Sequence, residues 1–292
     1  MTRKLRIATL MSRHGTAKYQ SAVADLQALF ERRLPDVEHT FIVVDNALPE
    51  SHEERLDGGL TLIGGSNAAW EFSAWDSAVS YLGARLGDFD FVHLATSAFK
   101  QLYVDYLDRF SDRMLNLMLG RSVALGHVDF YNESVSLLGL GSQSWLRTSF
   151  VFLPPTEIRL LKSFVSVTRK ETFFSGDPAA PFLREAPISA GYRSNIIGWL
   201  TGDGTEQGVE WHSRFKLDST TLPFFESKVL AILNEQMLSN RLRAQGCAVV
   251  DATWAATVAD ALERRGESFA IPCWQEQLVA RDSVAAPVSI QV

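Results

Sequence analysis

The chain predicts an α/β fold: a mostly parallel, Rossmann-like central sheet with flanking helices, followed by a less regular second half. Three observations carry this. In the first third, short apolar runs alternate with helical patterns, the sign of a parallel sheet wrapped by helices. The 292 residues, 46% hydrophobic and 21% charged, suit one large α/β domain or two smaller ones, with a sizeable core. No stretch approaches the roughly 18 apolar residues of a membrane span, and the basic start Arg3-Lys4-Leu5-Arg6 leads into no signal-peptide pattern.

Leu5 to Leu10 reads as the first strand, and Ala22, Leu26, Leu29 and Phe30 recur at helical spacing after it. Leu34-Pro35-Asp36 ends that helix before a second strand, Thr40 to Val44, closed by Asp45-Asn46. Leu60 to Ile63 makes a third strand and Gly64-Gly65-Ser66-Asn67 a turn. A helix follows from Ala68 to Leu82, then a fourth strand from Phe89 to Leu94. Beyond it, Val123 to Gly126, Ser136 to Leu140 and Thr148 to Leu153 read as strands, and a helix runs on from Pro154-Pro155 through Leu160 and Phe164. The Gly and Asp cluster from Gly198 to Gly208 reads as a loop, either a lid or a plain surface insertion.

Open α/β sheets bind ligands outside the carboxyl ends of their strands. Thr9 to Arg13, Asp45-Asn46, Gly64 to Asn67 and Ala95 to Ser97 should therefore converge on one crevice. Twenty-eight Lys and Arg against 34 Asp and Glu leave a net charge of -6, which excludes the broad basic footprint of a nucleic-acid binder. A local anion site remains open, since a few cations and N–H groups hold a diphosphate. Cys247 and Cys273 match neither a redox pair nor a zinc ribbon, and both read as buried thiols of a reducing compartment.

Asp45 can accept hydrogen bonds from a ribose or a base N–H, or serve as an ordinary turn residue. Glu235 shares a helical face with Leu238 and Leu242, which sets its carboxylate beside apolar surface. Desolvation there raises a carboxyl pKa and makes a better general base; the alternative is a solvated Glu at a helix N-terminus. His127 and Asp129 would share one face of a strand, too few ligands for a closed metal site.

The segment Asn234-Glu235-Gln236-Met237-Leu238-Ser239-Asn240-Arg241-Leu242-Arg243-Ala244-Gln245-Gly246 resembles the stretch of family 2 glycosyltransferases in which an acidic pair precedes a helix carrying Arg-Leu-Arg and then Gly. Asn234 replaces the first acid, and Glu235 stands where the catalytic base would be. Val44-Asp45-Asn46, the Gly-Gly-Ser-Asn turn and Trp70-Glu71-Phe72-Ser73-Ala74-Trp75-Asp76 look like the nucleotide half of a GT-A glycosyltransferase, similar to bacterial surface-polysaccharide, rhamnosyltransferase-like proteins. This resemblance covers roughly residues 5 to 255. It implies a GT-A-like catalytic domain over 1–255, divided into a nucleotide-sugar half (1–120) and an acceptor half (121–255), with a C-terminal extension over 256–292. It also implies transfer from a nucleotide diphosphate-sugar to a glycan or lipid-linked glycan hydroxyl in O-antigen or capsule synthesis, by inversion. Such a protein would be cytoplasmic, with peripheral association at the inner face of the plasma membrane. Glu235 and His212 would then be catalytic, and Thr9, Arg13, Asp45, Asn67, Glu71, Asp76 and Ser97 would hold the donor.

One departure from the family concerns metal. Where an Asp-x-Asp would bind a divalent cation, this chain reads His93-Leu94-Ala95-Thr96-Ser97, and neutral side chains supply no carboxylate oxygens. The expectation is an enzyme with no metal cofactor, its diphosphate met by Arg13, His14, His212 or Arg214. The alternative is a catalytically inactive GT-A-like carbohydrate-binding or partner subunit of a synthase. A methyltransferase using Asp45 lacks the expected Gly-rich turn after the first strand.

Overall fold

The computed structural model describes residues 3–101, 104–202, 215–262 and 269–285. The described residues form ten strands: β1 (Leu5–Arg13), β2 (Val37–Asp45), β3 (Glu53–Leu56), β4 (Leu60–Gly64), β5 (Phe91–Thr96), β6 (Val123–Gly126), β7 (Val128–Leu137), β8 (Leu140–Leu146), β9 (Phe150–Leu153) and β10 (Ala248–Asp251). Eight of them form one sheet in the order β10-β6-β9-β5-β1-β2-β4-β3, while β7 and β8 pair as a separate ribbon. Pairing is parallel from β5 through β1 and β2 to β4, and between β10 and β6; β9 and the edge strand β3 run antiparallel to their neighbours. The mostly parallel α/β sheet read from the sequence is the observed architecture.

The central strands are apolar on both sides because helices cover both faces. Ile7 and Met11 of β1, with Phe41 and Val43 of β2, enter a core built with α1 (Ala22–Arg33), α3 (Asp112–Met118) and α7 (Ala252–Leu262). Ala8, Leu10, Ile42 and Val44, one residue out of phase, face α2 (Trp70–Leu82), α4 (Pro155–Leu161) and the C-terminal half of α6 (Leu222–Ala244), as the two-residue pleat requires. A third core joins the β7–β8 ribbon, α5 (Ala190–Thr201) and the N-terminal half of α6. The 23 residues of α6 span about 35 Å. This helix bridges the sheet and the second half, and Glu235 lies near the junction, between Leu233 of the third core and Leu238 of the second.

Several expectations need correction. Ser136 to Leu140 is not one continuous strand: Ser136 and Leu137 end β7 and Leu140 opens β8, with Leu138 and Gly139 turning between them at positive φ. The helix after Pro154 ends at Leu161, where Lys162 turns left-handed, so Phe164 lies beyond it. Gly198 to Thr201 belongs to α5, capped by Gly202 in the αL conformation; residues 203–208 of the expected loop lie outside the described residues. Cys247 is buried but Cys273 is exposed.

The boundary at 255 falls inside α7, and the last described helix, α8 (Trp274–Ala285), is tied to the sheet. Gln277 Oε1 accepts from the Asp251 N–H at 2.7 Å, and Arg281 donates to the Val128 carbonyl at 2.7 Å. No helix among the described residues is long and apolar enough to cross a membrane.

Candidate functional site

A cavity of about 1560 Å³ opens at the carboxyl ends of β1, β2, β4 and β5 and extends beneath the β7–β8 ribbon to α6. It exceeds the roughly 300–1,000 Å³ of ordinary small-ligand clefts, which leaves room for a ligand in two parts. The four predicted strand-end segments do converge here: Ser12, Arg13, Asn46, Asn67, Thr96 and Ser97 all line it. Gly64 and Gly65 permit the tight turn after β4. A Cβ on Gly64 would overlap the Pro49 carbonyl, and one on Gly65 would lie 2.5 Å from Asn46 Oδ1. The next helix begins with strain, since Trp70 holds a φ of 52° at the cavity edge.

Asp45 sits behind this rim. Its Oδ1 accepts from the Gly15 and Ala47 N–H groups at 2.8 and 3.0 Å, and its Oδ2 from Arg13 Nε at 2.7 Å. Burial alone would raise its pKa, but these donors and the guanidinium outweigh burial and hold the carboxyl below the usual range. Asp45 therefore shapes the loop that presents Arg13 and does not itself line the cavity.

Glu235 projects from the middle of α6 rather than from a helix N-terminus. Thr148 donates to Glu235 Oε1 twice, from its backbone N–H at 2.8 Å and its hydroxyl at 2.9 Å. Burial raises the Glu235 pKa against the opposing pull of those two bonds and of Arg147, and Asp129 adds to the rise. A fixed, desolvated carboxyl on a cavity wall has what a general base needs. The preceding residue explains why an amide replaces an acid: Asn234 Oδ1 accepts from Ser166 and Val167 N–H at 2.7 and 2.8 Å, while its Nδ2 donates to the Val167 carbonyl. A carboxylate could not make the last bond. The Arg-Leu-Arg stretch is a brace, with Arg241 held by Ser163, Ser166 and Leu161 and Arg243 by Ser142 and Ser144.

Beside Glu235 lies a charged cluster. His127 Nε2 stands 3.2 Å from Asp129 Oδ1, and Arg147 NH2 donates to Asp129 Oδ2 at 2.7 Å. Burial would raise the Asp129 pKa, yet Arg147 and His127 bring it down to about 2, so the carboxylate stays charged. The visible signal was the two-residue spacing: Asp129 pairs with Trp145 across the hairpin, and Arg147 follows two residues on.

On the other flank, burial pushes the Glu71 carboxyl up to about 7; Glu235 adds to this and Lys228 opposes it. The Lys228 ammonium lies 5.6 Å from the Trp70 ring centroid and 5.8 Å from that of Phe224.

Of the residues singled out in the sequence, the cavity gathers Arg13, Asn67, Glu71, Ser97 and Glu235, and His14 as well. Thr9 does not reach it. Thr9 is fully buried in mid-β1, where its hydroxyl meets His39 Nε2 at 2.6 Å and His93 Nδ1 at 3.1 Å on the α1 face of the sheet. Asp76 also points elsewhere, accepting from Ser163 Oγ at 2.5 Å and the Phe164 N–H at 2.7 Å. Five residues of helix separate it from Glu71, a rotation of about 140°. His212 and Arg214 lie outside the described residues.

The end of β5 offers Ala95, Thr96 and Ser97, which do not fit a divalent cation, and among the described residues no group of three or more His, Cys, Asp or Glu could hold one. Cationic side chains are plentiful instead: Arg13, Lys18, Arg109, Arg147, Lys228 and Arg281 line the same cavity.

No protein-family model matches the chain, and no curated protein matches it. Among solved structures it is similar to the mannosyltransferase PcManGT from Pyrobaculum calidifontis in complex with GDP-Man and Mn2+. The identity is 13%, over 97% of this chain and 87% of that one, with a TM-score of 0.38. A similarity at that level assigns neither activity nor ligand.

Proposed function

We propose that the chain is a GT-A-like glycosyltransferase that moves a sugar from a nucleotide diphosphate donor to a hydroxyl of a glycan or lipid-linked glycan. The observation that carries this reading is the pairing, in one strand-end cavity, of a desolvated carboxyl held by Thr148 with a set of cationic side chains. Arg13, Asn67 and Ser97 would hold the donor at the strand ends. The Glu235 carboxylate takes the proton of the acceptor hydroxyl as that oxygen attacks the anomeric carbon. The bond from that carbon to the diphosphate breaks, and its electron pair leaves on the nucleoside diphosphate, where cations meet the growing charge. Displacement from the opposite face inverts the anomeric centre. No step uses a metal, because the donor set at the end of β5 does not fit one.

The sequence resemblance extends the proposal to surface-polysaccharide assembly, with the protein working in the cytoplasm at a membrane-borne acceptor. Thermal unfolding with UDP-, dTDP- and GDP-sugars, in EDTA and in Mn²⁺, tests the donor end. A ligand at a hundred times its Kd stabilises by about 2.7 kcal/mol, roughly 4–5 °C for a protein of this size. The expected result is stabilisation by one nucleotide class in EDTA. Silence across all of them overturns the transferase reading in favour of a non-catalytic carbohydrate-binding partner, and stabilisation confined to Mn²⁺ overturns metal independence.

A further inference from the structure

One face of α6 runs along the cavity. Phe224, Lys228, Ala231, Ile232, Glu235 and Gln236 line it, the spacing of a single helical stripe. Lys228 and Glu235 are seven residues apart, nearly two full turns, so they share that face with their positions separated by about 10.5 Å along the axis. Ala231 stands between them and takes up little of the intervening space. The Lys228 ammonium lies over the Trp70 and Phe224 rings, 5.6 and 5.8 Å from their centroids. Trp70 is tied to the donor end, because its carbonyl accepts from Asn46 Nδ2 at 3.0 Å while that amide also donates to Asn67 Oδ1 at 3.3 Å. Burial lowers the Lys228 pKa against the attraction of Glu71, and Lys18 adds to the fall. Among the described residues, no carboxylate forms an ion pair with Lys228 and no hydrogen bond takes its protons. Its neighbours in the cavity differ: Arg147 is committed to Asp129, and Arg281 to the Val128 carbonyl and Asp251. A partly desolvated ammonium without a counter-ion favours an anion.

We infer that Lys228 binds the β-phosphate of the nucleotide diphosphate-sugar and meets the charge that forms there as the sugar leaves. The inference rests on the proposed transferase reading and names the cation which that reading leaves open. In displacement with inversion, the base and the leaving oxygen stand on opposite sides of the anomeric carbon. The base lies within hydrogen-bond reach of the acceptor oxygen, that oxygen closes on the carbon, and a charge-assisted hydrogen bond holds the leaving phosphate, a span on the order of 10 Å. The spacing of Lys228 and Glu235 matches it, so one rigid helix presents both the base and the cation for the leaving group. The acceptor oxygen forms its bond to the anomeric carbon and gives its proton to Glu235. The bond from that carbon to the β-phosphate oxygen breaks, and its electron pair stays on the nucleoside diphosphate. Lys228 keeps its protons and donates hydrogen bonds to that phosphate.

Isothermal titration calorimetry on the full chain in EDTA tests this, with UDP, dTDP and GDP and the matching monophosphates as probes. The expected result is that one base class binds, its diphosphate more tightly than its monophosphate. Lys228→Met keeps the stem packed on Trp70 and Phe224 but removes the charge. It should weaken the diphosphate about ten- to a hundredfold and leave the monophosphate within about twofold. Lys228→Arg, which keeps the charge, should retain most of the diphosphate affinity. Circular dichroism confirms that each variant is folded; if Lys228→Met is not, Lys228→Gln decides by the same ratio. Equal diphosphate affinity in wild type and the folded Met variant would overturn the assignment. An equal loss for mono- and diphosphate would overturn it too, since Lys228 would then support the pocket rather than the β-phosphate. Both results leave the transferase reading standing, whereas a wild type that binds no nucleotide overturns that reading and the assignment with it.

Discussion

Replacing Thr148 by valine isolates the contact that sets Glu235 apart from an ordinary buried carboxyl. Valine keeps the shape and the backbone N–H bond at 2.8 Å but removes the hydroxyl bond at 2.9 Å. A hydrogen bond to a charged group contributes about 1.5–3 kcal/mol. That bond favours the carboxylate, so its loss moves the protonation equilibrium roughly ten- to a hundredfold toward the neutral acid. The direction adds to the rise already imposed by burial. The assay is a carboxyl-carbon NMR titration of protein labelled in glutamate, with Glu235→Gln identifying the resonance. Its kinetic counterpart is the acid limb of the transfer rate against pH, which should move upward in Thr148→Val while the alkaline plateau persists. Stability gives a second reading. With the carboxyl neutral, at acid pH, variant and wild type should be close, and the deficit should appear as pH rises and the carboxylate forms. A Glu235 titration unmoved by the substitution would refute the claim that Thr148 tunes the base.

Two further predictions concern buried titrating groups. The Glu71 carboxyl is raised to about 7, so the folded state resists ionisation that the unfolded chain undergoes near 4.5. Stability should fall as pH rises between those values, and Glu71→Gln should raise the unfolding free energy at pH 8, by on the order of 3 kcal/mol, but hardly at pH 4.5; equal effects at both pH values would contradict it. The opposite sign holds for the histidines flanking β1: burial lowers His39 on β2 to about 3, and burial together with its neighbour His39 also lowers His93 on β5 well below the usual range. Urea unfolding should give constant stability from these groups above pH 6.5 and a loss of about 1.4 kcal/mol per pH unit for each histidine below it. His39→Phe should remove about half of that acid slope, and an unchanged slope would count against the assignment.

The first half of the fold was legible because its strands are covered on both faces and its helices on one, so sequence periodicity reports burial directly. The convergence of strand ends on a cavity followed from topology alone. What failed has identifiable causes. Thr9 and Arg13 lie on one strand, but the carboxyl end of the sheet is four residues beyond Thr9, and position along a strand decides which residue emerges. Glu71 and Asp76 share a helix but not a face. The β7–β8 ribbon was mistaken because Ser136 to Leu140 is apolar enough for a strand while Leu138 and Gly139 carry the turn, and only the backbone reveals it.

If Glu235 removes the acceptor proton, abolishing its basicity must stop transfer and leave donor binding intact. Single-turnover transfer from whichever nucleotide-sugar stabilises the protein, compared between wild type and Glu235→Gln, tests it most directly. Glutamine keeps the shape and can still accept from Thr148, but it cannot take a proton. Donor stabilisation should persist in the variant while the transfer rate falls by about 10²–10⁴. Full turnover in Glu235→Gln, with the same donor and acceptor, would contradict it.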